Sequence, residues 1–299
     1  MRILITGATG TIGRGLVQKV IRDKNYQVRI LIRRQIIDNY EVADIENVNG
    51  DLRQIDSLIQ ASKGVDAIIH LAAITHTHEH SLYDEINHLG TENLIQAAKV
   101  CGVRRFIFLS TKTASYNGGA YAKSKILAEE SLKREELDWT ILRPAEVYGI
   151  VGNRGIQKIT DMIKKGYPLL IVGKGNYTLA PVFVDDVITG ILSTIDNDKT
   201  IRKIYVLEGP KEYSFIKLIE VLESQLKRKV LKVNVPVFLA KMLAYFLYFL
   251  KSEILYRDQI DRLLCSGNNG VDGSFDDLGI NPKPLEETIT VCNRNRIAV

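Results

Sequence analysis

The first half of the chain alternates between two hydrophobic periods. Runs that are apolar at nearly every position lie at 2–6 (RILIT), 27–32 (QVRILI), 67–73 (AIIHLAA), 104–110 (RRFIFLS) and 138–144 (DWTILRP), and they read as strands buried on both faces. Between them the spacing of apolar residues becomes helical: from the glycines after Thr6 to about Asp23, around Leu58, from Leu82 to Lys99, and from Tyr121 to about Glu135. Strand and helix in strict alternation predict a parallel sheet with helices on both sides, an α/β, doubly wound Rossmann architecture. After Pro144 the rhythm loosens into glycine turns, helices near Asp161 and Val187, a short strand KIYVL and a helix from about Phe215 to Leu226. The expected organisation is a dinucleotide-binding half at 1–150 and a smaller, substrate-side cap at 151–299, built partly from segments that return to the sheet.

Composition narrows the class. The chain has 299 residues, 45% hydrophobic and 25% charged, with a mean hydropathy near zero, as expected of a globular protein. Its net charge of +5 is mild and its basic residues are scattered, which argues against nucleic acid and suits an anionic cofactor or substrate. Cys101, Cys265 and Cys292 are far apart and odd in number, indicating neither a disulfide framework nor a zinc site and fitting a reducing cytoplasm. The start runs directly into the first strand, which leaves no room for a cleavable signal.

The sharpest motif is Gly7-Ala8-Thr9-Gly10-Thr11-Ile12-Gly13, between the first strand and the first helix. Small residues there let backbone N–H groups and the positive helix end approach a pyrophosphate, and Gly13 permits close helix–strand packing. The spacing Gly-x-x-Gly-x-x-Gly resembles that of the short-chain dehydrogenase/reductase superfamily, in its extended, NAD-dependent epimerase/dehydratase-like form. The resemblance covers most of the chain and is closest up to Gly149. Asp51 and Leu52 look like the family's adenine-contacting turn; Leu71, Ala72 and Ala73 like the strand end beneath the cofactor; Asn87 falls in a stretch similar to its central helix. Arg33 and Arg34, with no acid at the end of the second strand, favour the 2′-phosphate of NADP over the free ribose of NAD; the alternative is that they are solvated strand-end charges.

Tyr121 and Lys125 stand four apart near a helix start and project from one face. A phenol with a pKa of about 10 is a weak base at neutral pH, and a neighbouring ammonium would lower that value. In the family resembled, such a tyrosine exchanges the proton of a reacting hydroxyl or carbonyl, the lysine holds the nicotinamide ribose, and a hydroxyl residue upstream binds the substrate oxygen. Thr111 falls at that last position, with Ser110 as the neighbour that takes the role in the other register. Pro144 and Val147 lie in the segment that resembles the passage beside the nicotinamide, and Asp185 and Asp186 read as a helix start.

The resemblance implies a small-molecule substrate, a nucleotide-sugar or a related alcohol or ketone, with a homodimer as a candidate assembly. Two positions depart from nucleotide-sugar epimerases: Leu179 stands where an arginine clamps the diphosphate, and Glu146 where an asparagine is usual. Sugar dehydratases carry Asp-Glu after the threonine, whereas Thr111 is followed by Lys112 and Thr113. Hydride transfer as a simple reductase or dehydrogenase therefore ranks first, epimerase second, dehydratase third. A non-catalytic NADP(H)-binding protein, similar to the nucleotide-binding accessory subunit of respiratory complex I, is the non-enzyme alternative. His76, His78 and His80 are close together, but no cysteine or carboxylate completes a ligand set, so a polar loop is expected and no metal. The apolar segment Phe238 to Leu250 is shorter than the about 20 residues that span a bilayer. A buried cap helix is the expectation, ahead of a dimer contact, a greasy substrate or a membrane contact.

Overall fold

A computed structural model describes residues 1–23, 25–33, 45–149, 155–249, 257–265 and 275–289. The strands are β1 (Arg2–Thr6), β2 (Gln27–Ile32), β3 (Ile45–Asn49), β4 (Ala67–His70), β5 (Arg105–Leu109), β6 (Asp138–Pro144), β7 (Val147–Tyr148), β8 (Leu169–Val172), β9 (Thr178–Leu179), β10 (Val182–Phe183), β11 (Lys203–Leu207), β12 (Tyr213–Ser214) and β13 (Lys232–Val235). The helices are α1 (Thr11–Asp23), α2 (Ile55–Ser62), α3 (Gly90–Val100), α4 (Gly119–Lys133), α5 (Gly155–Lys165), α6 (Val184–Ile195), α7 (Phe215–Leu226), α8 (Val237–Phe249), α9 (Arg257–Leu264) and α10 (Phe275–Leu278). A π-helical stretch, Tyr83–Leu89, leads into α3.

Seven strands form one parallel sheet in the order β11-β6-β5-β4-β1-β2-β3. The chain runs outward from β1 one way through β2 and β3, then the other way through β4, β5 and β6. The order reverses between β1 and β4, and the crevice beyond their carboxyl ends is where such sheets take ligands. The uninterrupted apolar runs are explained by the sheet's two covered faces. Ile3 and Ile5 pack with Leu16, Val17 and Val20 of α1 and Val187, Ile188 and Ile191 of α6; Leu4, Ile68 and Phe106 pack on the other side with Leu58 of α2, Leu94 of α3 and Leu132 of α4. Full burial of each such side chain stabilises the fold by about 1.5–3 kcal/mol.

The later sequence contributes to both parts of the molecule. β11 completes the edge of the large sheet and α6 packs beneath it. A separate apolar cluster joins Ile156 and Ile163 of α5, Leu169 and Ile171 of β8 and Leu218, Ile219 and Leu222 of α7. Three two-stranded pairs, β7–β10, β8–β13 and β9–β12, frame it.

Polar residues inside the sheet fix its two edges. At the amino edge, buried Arg105 donates to the Thr194 and Ile195 carbonyls that end α6 and to Thr140 and Thr200, a cation placed at the negative end of a helix. At the carboxyl edge, His70 ties β4 to β1 through Thr6 (2.6 Å) and to α3 through Thr91 (3.0 Å), and stacks on Phe108. Complete burial, with the Lys125 charge adding to it, pulls the His70 pKa down to about 3.

The unfolded chain protonates this imidazole below about pH 6.5 while the folded chain leaves it neutral, so its contribution is intact above that pH and is lost as the pH falls toward 3. Urea midpoints of wild type should therefore drop faster between pH 6.5 and 4 than those of His70→Asn; parallel pH dependences would contradict a buried neutral imidazole.

Candidate active site at the carboxyl edge of the sheet

The glycine turn after β1 is a cradle that side chains would fill. Gly7 has φ +74°, and a Cβ there would meet the Ala72 nitrogen at 2.5 Å; a Cβ on Gly13 would collide with the Gly7 carbonyl. The Gly10 N–H closes the turn onto the Gly7 carbonyl at 3.0 Å, and α1 begins at Thr11, so its first N–H groups face the crevice without intrahelical partners. Thr9 lies within this turn, and Ile12 packs against the core from the first turn of α1. Backbone approach this close, with a helix N-terminus behind it, fits a pyrophosphate.

Leu71, Ala72 and Ala73 follow β4 directly. The Leu71 N–H donates to the Thr6 carbonyl (3.1 Å) and the Ala72 N–H to the Thr6 hydroxyl (3.3 Å), which holds this segment against the glycine turn. On the other flank, Arg33 ends β2 and acts on Asp51, whose carboxylate accepts from the backbone N–H and guanidinium of Arg53 and is held below the usual carboxylate range by that hydrogen bonding. Arg34 lies outside the described residues. Leu52 is buried in the α2–α3 layer, packs on Gly90, and accepts a hydrogen bond from Asn93 through its carbonyl.

Asn87 spends its whole amide on structure: Oδ1 accepts from the Ile74 N–H (2.8 Å), and Nδ2 donates to the Ile74 carbonyl (2.9 Å) and the Ser124 hydroxyl (3.1 Å). It joins the loop after β4 to α4. Its hydrogen bonds are those of a residue that shapes the crevice wall rather than one that reaches into it.

The structure separates Ser110 from Thr111. Ser110 is buried and its hydroxyl donates to Glu129, which pairs with Arg143 through Nε–Oε1 (2.9 Å) and Nη2–Oε2 (2.5 Å), all in the interior. Thr111 turns the other way, with its hydroxyl 3.1 Å from that of Thr113 and within hydrogen-bonding reach of the Tyr121 phenol. Lys125, one turn further along α4, donates to the Leu109 carbonyl at 2.8 Å and lies 4.0 Å from the centre of the Phe108 ring. Pro144, at the end of β6, accepts from the Lys112 N–H, and Val147 opens β7 beside β10. Lys112 itself pairs with Glu208, away from the phenol.

The electrostatics differ from the simple picture of an ammonium lowering a phenol pKa. Burial raises the Tyr121 pKa, and Asp258 and Glu146 add to the rise; Arg262 and the Thr111 hydrogen bond oppose it. Burial also lowers Lys125 to about 7, with Glu129 opposing. Desolvation is the largest influence on both groups, so the phenol is kept in its proton-donating form.

The cap supplies side chains that sequence reasoning missed. Arg262 of α9 lies over the Tyr121 ring, 4.7 Å from its centre, and 4.0 Å from Asp258 Oδ2. Asp258 is buried against Gly119 and accepts from the Tyr83 hydroxyl (3.3 Å), and the Tyr83 ring meets that of Tyr121 edge-on at 5.9 Å. Among the described residues Asp258 Oδ2 has no hydrogen-bond partner, and burial raises the Asp258 pKa. Burial raises the Glu146 pKa, and Arg262 opposes it.

The three imidazoles disperse: His76 to Thr75, His78 to Tyr248, His80 to Tyr83. Asp186 is also structural, its carboxylate accepting the Lys283 N–H at 2.9 Å.

A reversed parallel sheet with a glycine turn at its switch point and a Tyr–Lys pair at the next strand ends defines a Rossmann protein of the extended short-chain dehydrogenase/reductase type. The chain belongs to the NAD dependent epimerase/dehydratase family, whose model matches residues 3–207. It is 26% identical over 285 residues to a UDP-glucose 4-epimerase of Vibrio cholerae, covering 85% of this chain and 84% of that one. It is 26% identical over 305 residues to NADH dehydrogenase (ubiquinone) 1 alpha subcomplex subunit 9 of Rattus norvegicus, covering 98% and 80%. Among solved structures it superposes on the dTDP-glucose 4,6-dehydratase DesIV of Streptomyces venezuelae, with NAD and TYD bound, at a TM-score of 0.72 and 23% identity over 99% of this chain and 98% of that one.

Ser110→Ala should lower stability by about 1.5–3 kcal/mol, the scale of a buried hydrogen bond to a charged group, while leaving the activity of the folded fraction near wild type. Thr111→Val should do the reverse, sparing the urea midpoint and reducing turnover. Loss of turnover in folded Ser110→Ala would exchange the two roles.

Proposed function

We propose that this chain is an NAD(P)-dependent oxidoreductase that interconverts a secondary alcohol and a ketone. Tyr121 exchanges the proton of the reacting oxygen, and Thr111 hydrogen-bonds that oxygen. Lys125 holds the nicotinamide ribose. The observation that carries this reading is the Tyr121 phenol, kept protonated by burial, with the Thr111 hydroxyl beside it and Lys125 one turn away, on the same sheet edge as the Gly7–Gly13 cradle. A buried neutral phenol donates its proton to a developing alkoxide, and in the reverse direction Arg262 helps bear the phenolate that forms.

When bound, the cofactor supplies or accepts the hydride. Gly7, Thr9, Gly10, Thr11, Ile12 and Gly13 would hold its pyrophosphate, Arg33, Asp51 and Leu52 its adenosine end, and Leu71, Ala72, Ala73, Pro144 and Val147 its nicotinamide end. In this reading residues 1–150 are the cofactor half and 151–299 the substrate side. Arg33 beside Asp51, with no acidic side chain ending β2 among the described residues, supports NADP(H) over NAD(H). NAD is the second reading, favoured by its presence in the DesIV structure.

The substrate is a nucleotide-sugar or a related hydroxyl or keto compound. Leu179 lies in β9 and Glu146 in the segment after β6, neither a diphosphate clamp, and Lys112, directly after Thr111 where the sugar dehydratases carry an acid, pairs with Glu208. These features support the order reductase, epimerase, dehydratase. A non-catalytic cofactor-binding role is the other reading, favoured by the match to the rat NADH dehydrogenase subunit along 98% of this chain.

Tyr121→Phe should keep cofactor affinity while turnover falls on the order of 10²–10⁴-fold. Turnover is followed with a panel of ketones, alcohols and nucleotide-sugars, recording both net cofactor change and product mass. Stoichiometric cofactor consumption supports the first rank, and an isomer of unchanged mass with the cofactor recycled supports epimerisation. Normal turnover in Tyr121→Phe overturns the mechanism. Cofactor binding without turnover on any substrate leaves the accessory role.

NADPH should bind more tightly than NADH, and Arg33→Ala should narrow the difference. Tighter NADH binding that is indifferent to Arg33→Ala would reverse the cofactor assignment.

A further inference from the structure

Helix α8 does not pack as the buried cap helix expected from its sequence. Its inward stripe is small, Ala240 and Ala244 one turn apart, packed with Ile260 and the partly buried Val172, Val235 and Val237. Its outward face carries the bulk: Phe238 is 68% exposed, Met242 62% and Phe246 59%. A helix whose outer face meets water turns its large apolar residues inward and its polar residues outward; α8 is arranged the other way round.

The apolar surface continues onto the β8–β13 pair. Leu170 and Val233 are register partners, two residues before Val172 and Val235, so all four share the face that α8 covers at one end. Leu170 and Val233 emerge beyond the helix, and Leu231, 69% exposed, extends the same row. The result is a contiguous patch of large exposed apolar residues, the kind of surface that marks a protein or membrane contact.

Charge identifies the occupant. Beside Leu231 lie the exposed Lys227, Arg228 and Lys229, and Arg228 donates to the carbonyls of Lys164 and Lys165, which gathers five basic residues along one edge of the patch. Lys232 and Lys241 are paired with Glu223 and Asp261, so the basic character of the patch lies in the 227–229 and 164–165 edge. Two copies of the chain meeting through this patch would bring two basic edges into one interface. A bilayer with anionic headgroups pairs with that edge while its acyl boundary takes Phe238, Met242 and Phe246. No helix among the described residues is long and apolar enough to cross a membrane, so α8 would lie in the interface plane.

We propose that this face seats the protein on an anionic lipid surface, with α8 at the headgroup boundary and the 164–165 and 227–229 edge on the headgroups. Tyr248, one turn after Ala244 on the inward stripe, meets His78 at 5.9 Å and ties the inner side of α8 to the loop that follows β4. The proposal stands independently of the reaction at Tyr121.

The full chain is sedimented with vesicles of phosphatidylcholine alone or of equal parts phosphatidylcholine and phosphatidylglycerol. Wild type should partition onto the anionic vesicles and be released by salt. Phe238→Ser with Phe246→Ser should weaken binding at least about tenfold, and Lys227→Glu with Lys229→Glu at least about tenfold. Both variants alter exposed side chains and should keep the wild-type urea midpoint and NADPH affinity. Failure of wild type to bind either vesicle overturns the proposal, as does equal binding to both, or a vesicle affinity that neither variant changes. A self-association abolished by Phe238→Ser and Phe246→Ser, without vesicle binding, would assign the patch to a second copy instead.

Discussion

The buried ion pair between Arg143 at the end of β6 and Glu129 on α4 holds that helix in its register. Both side chains are almost wholly removed from solvent, and the remaining carboxylate capacity is taken by Ser110 at the end of β5. Two strands and one helix are thereby locked where the sheet meets the crevice. A pair this deep offsets its own desolvation only while it is complete, and loss of one partner costs on the order of 3–5 kcal/mol. With Glu129 fixed, Lys125 falls one turn earlier, onto the Leu109 carbonyl, and Tyr121 one turn earlier again, beside Thr111.

What the crevice then does follows from desolvation more than from any single charge. Tyr121 and Lys125 are buried together, so the phenol is held as an acid and the ammonium is pulled toward neutrality. Arg262 covers the Tyr121 ring, and Asp258, Tyr83 and Glu146 lie around it. The ionisation of one phenol on α4 is thus set by its burial and by groups from α9, the segment after β6 and Thr111 after β5. Helix α9 thus supplies part of the immediate surroundings of the phenol.

Much of this was legible in the sequence for a physical reason. Strands buried on both faces leave continuous apolar runs, and three glycines between a buried strand and a helix start mark a place where backbone must come close to something, so the sheet and its switch point could be read directly. That Tyr121 and Lys125 share one face was legible because a helix puts i and i+4 on one side. Asp258 and Arg262 have the same spacing, but on a polar helix that pattern also describes an ordinary surface ion pair, and only the packing of α9 on Gly119 brings them to Tyr121. Ser110 and Thr111 are adjacent, and nothing local says which hydroxyl meets Glu129. The apolar content of α8 was plain, but its direction was not, since a helix apolar on nearly every side shows no preferred face until Ala240 and Ala244 are seen to be the inward ones.

The central claim is that one edge of the sheet holds a nicotinamide dinucleotide between the glycine turn and the Tyr121–Lys125 face. Amide hydrogen exchange of the full chain with and without NADPH tests it most directly. Slowed exchange is predicted at residues 7–14, 71–75 and 109–126, with the amino edge around Arg105 and Thr194 unchanged. Exchange unaltered by NADPH at those three segments, or protection confined to other parts of the chain, would contradict the account.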